Sequence, residues 1–183
     1  VSRKRGIGGI RCELVIPNRE VQDVYRFEIL DKMRGRFSVS RLETMFDDLL
    51  SGNGKAFSEL LGGYLRDLVS VYDTANKESF YHGFVLGMTA LFVSDYIIES
   101  NRESGYGRFD LAIIPKDVSK AGVIMEFKVA SREADMAAKA KEALQQIEER
   151  EYVTEFRQRG IQRVWKYGIA FCGKKILAFQ GPM

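Results

Sequence analysis

Hydrophobic and polar positions follow two different periods along the chain. Up to about residue 92 the apolar residues recur every three or four positions, which predicts amphipathic or buried helices. From residue 96 onward, short apolar runs bounded by turn residues predict strands, with one helical segment among them. The predicted helices are 21–33, 40–50, 56–72, 78–92 and 133–152; the predicted strands are a short one near 12–16, three at 96–100, 108–114 and 123–129, and a closing hairpin of 164–171 and 175–179.

This order of elements predicts an α/β fold. Short connections between the three central strands favour an antiparallel meander, which is followed by a helix and a strand hairpin. The segment 73–76 is the most linker-like break in the chain. We therefore predict a helical N-terminal extension over residues 1–75 and a core domain over residues 76–183. The chain begins at Val1 inside a basic segment without an initiator methionine, which predicts either a fragment of a longer protein or a processed chain.

Composition and charge narrow the class of protein but do not select a function. With 45% hydrophobic and 29% charged residues the chain has the composition of an ordinary globular protein. No apolar run approaches the roughly 20 residues of a membrane span, and no secretory leader is evident, so we expect a cytoplasmic protein. Cys12 and Cys172 are isolated, which favours free thiols. The net charge of +3 neither requires nor excludes a polyanionic partner.

The apolar run 122–130 contains an acid and a base, Glu126 and Lys128, which share one face if the run is a strand. Such residues are rarely buried unless they are paired. Asp110 lies one predicted strand earlier, and antiparallel pairing across a short connection would bring it to Glu126. Two carboxylates about 4 Å apart repel by roughly 4 kcal/mol at an effective dielectric constant of 20, so a bound cation is expected. Oxygen ligands without a histidine or cysteine cluster favour Mg²⁺ or Mn²⁺.

These residues resemble the signature of a known superfamily. Gly107-Arg108-Phe109-Asp110 followed by Glu126-Phe127-Lys128 resembles the PD-(D/E)xK phosphodiesterases, with Phe109 in the place of the signature's proline. Over roughly residues 57–178 the chain is similar to the nuclease-like domain found C-terminal to AAA-ATPase-like domains in bacteria and archaea. That likeness is carried by the segments 80–84, 100–108 and 167–174 and by Gln146-Ile147. In addition, Ile16-Pro17-Asn18 is similar to the segment that joins the two domains in full-length members.

The resemblance implies a restriction-endonuclease-like core and a role for each matching residue. Asp110 and Glu126 would hold the divalent metal, with the Phe127 carbonyl as a third ligand. Lys128 would orient or deprotonate the attacking water. Gln146 and Tyr152 would be accessory. Either His82, on the first core helix, or Glu103 would complete the site, and the sequence leaves that choice open. Arg108 is either an ordinary strand-end residue or a phosphate contact.

The resemblance also implies an activity and partners. The activity is metal-dependent hydrolysis of phosphodiester bonds by in-line attack of water, with DNA favoured over RNA as the substrate. An AAA-ATPase-like domain in the same chain is an implied partner, and a homodimer is an open possibility. The alternative from another class is a catalytically silent module of the same fold, which binds nucleic acid or regulates an attached ATPase.

Overall fold

The computed structural model describes residues 2–6, 9–13, 39–69, 78–89, 92–101, 103–104 and 107–182. The predicted helix 21–33 and the linker 73–76 lie outside these residues. The chain forms two compact units, Val1–Val39 and Ser40–Met183. In the first unit, strand β1 (Ser2–Gly6) pairs antiparallel with β2 (Gly9–Glu13). This hairpin starts earlier than the single strand predicted near residues 12–16.

The second unit is built on a five-stranded mixed sheet, which confirms the predicted α/β, restriction-endonuclease-like class. Its strands lie in the order β3-β6-β7-β8-β9. The pair β7–β8 is parallel, and the other neighbours in this sheet are antiparallel. A two-stranded ribbon, β4–β5, stands apart from the sheet. The strands are β3 (Tyr96–Ser100), β4 (Glu103–Ser104), β5 (Gly107–Arg108), β6 (Leu111–Pro115), β7 (Gly122–Val129), β8 (Val164–Cys172) and β9 (Lys175–Gln180).

Helices cover both faces of the sheet. They are α1 (Val39–Ser51), α2 (Gly54–Leu68), α3 (Glu78–Thr89), α4 (Met136–Glu149) and α5 (Val153–Gln158), and a 3₁₀ turn, Glu133–Asp135, precedes α4. Trp165 and Tyr167 on β8 donate hydrogen bonds to the last carbonyls of α1, at Leu50 and Leu49. The next residue, Gly168, faces the opposite side of the sheet. A Cβ atom there would collide with the backbone of α4, so only glycine permits this close approach.

The contacts of α1 and α2 bear on the predicted domain boundary. Both helices belong to the second compact unit. Asn53 links them, since its side chain accepts a hydrogen bond from the Ala56 amide at the start of α2. The two compact units meet at residues 39 and 40. The boundary between a helical extension and a core domain at residues 75 and 76 stays a prediction.

Two predicted elements are interrupted in the structure. The predicted strand 108–114 is broken at Phe109 and Asp110, because the buried Phe109 ring packs against Tyr152 instead of continuing the ladder. The predicted helix 133–152 is shorter: it begins as a 3₁₀ turn and ends at Glu149, and Glu151 has a φ of 52°. That left-handed backbone cannot continue an α-helix, so α5 starts in a new direction.

Candidate active site

Strand register brings the two candidate metal-binding carboxylates together. Leu111 pairs with Met125 in the β6–β7 ladder, so Asp110 lies beside Glu126 at the next position. The Phe127 amide donates a hydrogen bond to Oδ2 of Asp110 at 2.7 Å. In return, the Asp110 backbone hydrogen-bonds to the Glu126 carboxylate. Each carboxylate is therefore oriented by the main chain of the neighbouring strand.

Glu126 is held in a nearly closed environment, with 2% of its surface exposed. Its Oε1 atom accepts a hydrogen bond from Gln146 Nε2 and lies 3.5 Å from the Lys128 ammonium. Its Oε2 atom is buried and has no hydrogen-bond partner among the described residues. Burial, and next the nearby charge of Asp110, raise the pKa of Glu126 to about 7, while Lys128 acts in the opposite direction. In the metal-free protein this acid is therefore protonated over part of the neutral range.

Helix α4 supplies the amide that fixes Glu126. Gln146 is on α4, the helix whose backbone at Ala140 and Leu144 lies against Gly168 of β8. It also hydrogen-bonds to Tyr152, which is fully buried. Burial raises the pKa of the Tyr152 phenol, so the group is a neutral hydrogen-bond partner. The structure thus connects Tyr152, Gln146, Glu126 and Lys128 in one chain of polar contacts.

His82 touches the backbone of Asp110. Its Nε2 atom is 3.0 Å from the Asp110 carbonyl and 2.9 Å from the Ser100 hydroxyl. Asn101 Nδ2 is 3.4 Å from Nδ1 on the other side of the ring. The 3.0 Å contact fits an Nε2–H group that donates to the Asp110 carbonyl. The sequence placed His82 near the site; the structure shows that it contacts the main chain that carries Asp110.

Glu103 lies in β4, opposite Arg108 of β5 and outside the five-stranded sheet. The structure brings together Asp110, Glu126, Lys128, Gln146 and His82. A role for Glu103 in the site stays a prediction.

Glu78 is a candidate that the sequence reasoning missed. It opens α3 one turn before His82. Its pKa is raised by partial desolvation and by the charge of Asp110, and lowered by Lys128 and His82, so its carboxylate lies within electrostatic reach of the site. The signal was present in the sequence, because residues four apart share one face of a helix.

The residues present fit a small divalent cation. Among the described residues no group of three or more histidine, cysteine, aspartate and glutamate side chains is arranged to hold a metal. Mg²⁺ does not require one, since it is usually bound through one or two carboxylates and keeps several waters. Asp110 and Glu126 are such a pair, and the buried Oε2 atom of Glu126, which has no hydrogen-bond partner among the described residues, is an oxygen that a cation could use as a ligand.

Comparisons with known proteins agree with this geometry. A family model described as the PD-(D/E)XK nuclease superfamily matches residues 76–180, more than half of the chain. Comparison with curated proteins and with solved structures gave no match. None of the helices in the described part of the chain is both long and apolar enough for a membrane span. The closer likeness to domains that follow AAA-ATPase-like domains stays a prediction.

Nucleases of this superfamily are phosphodiester hydrolases that generally use divalent metals. The matched residues contain Asp110, the strand β7 that carries Glu126, and the helix α4 that carries Gln146. It follows that the chain belongs to the PD-(D/E)XK nuclease superfamily.

Proposed function

We propose that the protein is a divalent-metal-dependent nuclease that hydrolyses DNA by in-line attack of water on a phosphodiester bond. One observation carries the proposal: Asp110 is tied to the Phe127 amide beside the buried Glu126, one of whose carboxylate oxygens has no partner among the described residues. A buried carboxylate next to a second acid is unfavourable unless a cation compensates it. The choice of DNA over RNA rests on the sequence resemblance.

Asp110, Glu126 and the Phe127 carbonyl would hold Mg²⁺ or Mn²⁺. When bound, the ion supplies positive charge that offsets the charge developing on the phosphate during attack. Because each carboxylate is already oriented by the backbone of the other strand, little rearrangement of the protein is needed to bind the ion.

Lys128 is the residue proposed to act on the attacking water. Its side chain is 19% exposed, so the ammonium is reachable from solvent while Glu126 restrains it. An ammonium group donates hydrogen bonds but accepts none, and it can therefore orient a water molecule or neutralise a phosphate oxygen. Gln146 is proposed to act through Glu126, as a positioning residue that fixes one carboxylate oxygen and leaves the other for the metal.

His82 is also proposed as a positioning residue. It holds the Asp110 carbonyl and Ser100, the residue that ends β3, so it fixes the backbone from which the Asp110 carboxylate projects. Glu78, one turn earlier, is proposed to add negative charge on the α3 side of the site.

Cleavage assays test the proposal. Plasmid DNA and single-stranded DNA and RNA oligonucleotides are incubated with Mg²⁺ or Mn²⁺, and with EDTA as the metal-free control. Asp110→Asn and Lys128→Ala should each lower the rate by about 100-fold or more. The control variant is Lys120→Ala. Lys120 lies in the β6–β7 turn, at the end of these strands away from Asp110, so this variant should cleave DNA as fast as the unmodified protein.

Equal cutting by all four proteins would reveal a contaminant and overturn the proposal. Absence of cleavage together with retained DNA binding and no Mn²⁺ binding would favour the silent nucleic-acid-binding module.

A further inference from the structure

Strand β9 forms one edge of the five-stranded sheet, and its outer side is not paired with another described strand. The Gly181 amide donates to the Lys166 carbonyl at 2.9 Å, so these two residues, which continue the β8–β9 register, form a hydrogen-bonded pair. In an antiparallel ladder such pairs alternate with pairs that are not bonded to each other. Ile176, Ala178 and Gln180 therefore direct their amide and carbonyl groups outward, away from β8.

A groove of about 570 Å³ lies beside this outer edge. Helix α2 forms one wall, and the 3₁₀ turn together with the start of α4 forms the other. The apolar part of its lining consists of Gly62, Met136, Ala137, Ile176, Leu177 and Ala178. A strand added to β9 would lie about 4.8 Å from it, with its side chains alternating between the α2 side and the α4 side.

The middle of β9 lacks the features that usually prevent strand addition. Proteins protect edge strands with charged side chains, proline or a bulge. Residues 176–179 are all apolar, keep a regular register with β8 and are only partly buried. Lys175, at the start of the strand, is ion-paired with Glu133. The outward backbone groups of β9 can therefore pair with a further extended chain.

Charge on the α2 wall of the groove favours an acidic chain. Lys55 and Arg66 line the groove near the two ends of α2, about 16 Å apart at 1.5 Å per residue, with Glu59 between them. Among the described residues neither of these cations forms an ion pair. An acidic side chain at each end of the groove would compensate them.

The direction of α2 disfavours a second copy of this chain as the occupant. Gly54 lies near Gln180, and the Lys174 ammonium donates to the Arg66 carbonyl at 3.3 Å, so α2 runs antiparallel to β9. Two copies that paired their β9 edges about a two-fold axis would bring Lys55 of each copy toward the Arg66 end of the other. Like charges placed together in this way repel each other.

We propose that β9 and the adjoining groove bind an extended acidic peptide, which adds a strand to the sheet and directs its acidic side chains toward Lys55 and Arg66. Hydrogen bonds to the backbone of Ile176, Ala178 and Gln180 supply affinity, and alternate side chains supply specificity. Acids four positions apart in a strand are separated by about 13 Å, which lets them reach both cations. This inference does not depend on the proposed nuclease function.

The probe is a synthetic eight-residue peptide with glutamate at the third and seventh positions, valine at the fourth and sixth, alanine at the fifth and threonine elsewhere. One control peptide has lysine in place of both glutamates. Two others are N-methylated at alternate residues, one at the odd positions and one at the even positions, so each loses the amide donors along one edge. Binding to the full chain is followed by NMR, together with the hydrogen exchange of each backbone amide.

The amides of Ile176, Ala178 and Gln180 should exchange quickly in the free protein and slowly in the complex. One N-methylated peptide should lose binding and the other should keep it, since only one edge of the peptide faces β9. The lysine peptide should bind more weakly than the glutamate peptide, and added salt should reduce that difference.

Three protein variants test the same contacts. Arg66→Glu should weaken binding about fivefold, whereas Lys120→Glu, the same change of charge in the β6–β7 turn, should match the unmodified protein. Ala178→Pro removes the central outward donor but no hydrogen bond to β8, and it should abolish binding.

Slow exchange of the three outward amides in the free protein would overturn the proposal, because the edge would already be covered. Failure of the glutamate peptide to bind, equal binding of the lysine peptide, or equal binding of both N-methylated peptides would also overturn it. A dimer in sedimentation equilibrium that Ala178→Pro dissociates would assign this edge to a second copy instead. The peptide controls decide the outcome even if Ala178→Pro does not fold.

Discussion

Replacing Glu126 by glutamine should make the metal-free protein more stable while abolishing its activity. In the folded chain this carboxyl is 2% exposed and close to Asp110, and its pKa is raised from 4.5 to about 7. Ionising it at alkaline pH therefore opposes folding. Glutamine has nearly the same shape and no charge, and its amide oxygen can still accept the hydrogen bond from Gln146.

The size of the effect follows from the raised pKa of Glu126. A tenfold change in proton affinity corresponds to about 1.4 kcal/mol, so the ionised form of Glu126 costs the folded state about 3 kcal/mol at pH 8. The favourable contribution of the protonated carboxyl is complete below pH 4.5 and is lost as the pH rises through about 7. The attraction of Lys128 is already included in this pKa, so about 3 kcal/mol is the gain expected at pH 8.

Urea denaturation in EDTA at pH 5 and at pH 8 measures this effect. The unmodified protein should lose stability between the two values, Glu126→Gln should lose less, and the difference between the two proteins should be larger at pH 8. Saturating Mg²⁺ should remove the advantage of the variant, since only the carboxylate gains stability from the ion. An equal difference at both pH values would refute the reasoning that burial makes the charge costly.

Three further predictions follow from the same contacts. The apparent affinity for Mn²⁺ should fall about tenfold for each pH unit below about 7, since binding must displace the Glu126 proton. Calorimetry from pH 5.5 to 8 measures this affinity, and an affinity that does not change with pH would contradict the prediction. A fragment 76–183 should fail to fold, because removing α1 and α2 uncovers Tyr167 on β8; a cooperative unfolding transition by circular dichroism would contradict it. His82→Gln should retain more Mn²⁺ affinity than His82→Ala, since it keeps a donor for the Asp110 carbonyl; equal loss would show that the ring itself is needed.

The sequence predicts the strands and the facing carboxylates well for a physical reason. The segment 96–100 is a strand with the predicted bounds, and β7 differs by one residue, because apolar runs bounded by turn residues have few other ways to be buried. A short connection then requires antiparallel pairing of β6 with β7, and the pleat places Glu126 and Lys128 on one face. These features depend on local pattern and connection length alone.

Other features depend on contacts between distant residues. The break at Phe109 follows from a pocket formed in part by Tyr152, which is 43 positions later in the chain. The approach of α4 to Glu126 depends on Gly168 of β8. Glu78 was overlooked although it shares a helix face with His82, because nothing local to that helix shows that Asp110 faces it. Predicting such features requires the packing of several elements at once.

Calorimetric titration of the metal-free protein with Mn²⁺ at pH 8 tests the central claim most directly. If Asp110 and Glu126 share one divalent ion beside Lys128, the unmodified protein and Lys128→Ala should both bind Mn²⁺, whereas Asp110→Asn and Glu126→Gln should each lose that binding. Unchanged Mn²⁺ binding in either carboxylate variant, with the fold intact, would contradict the account.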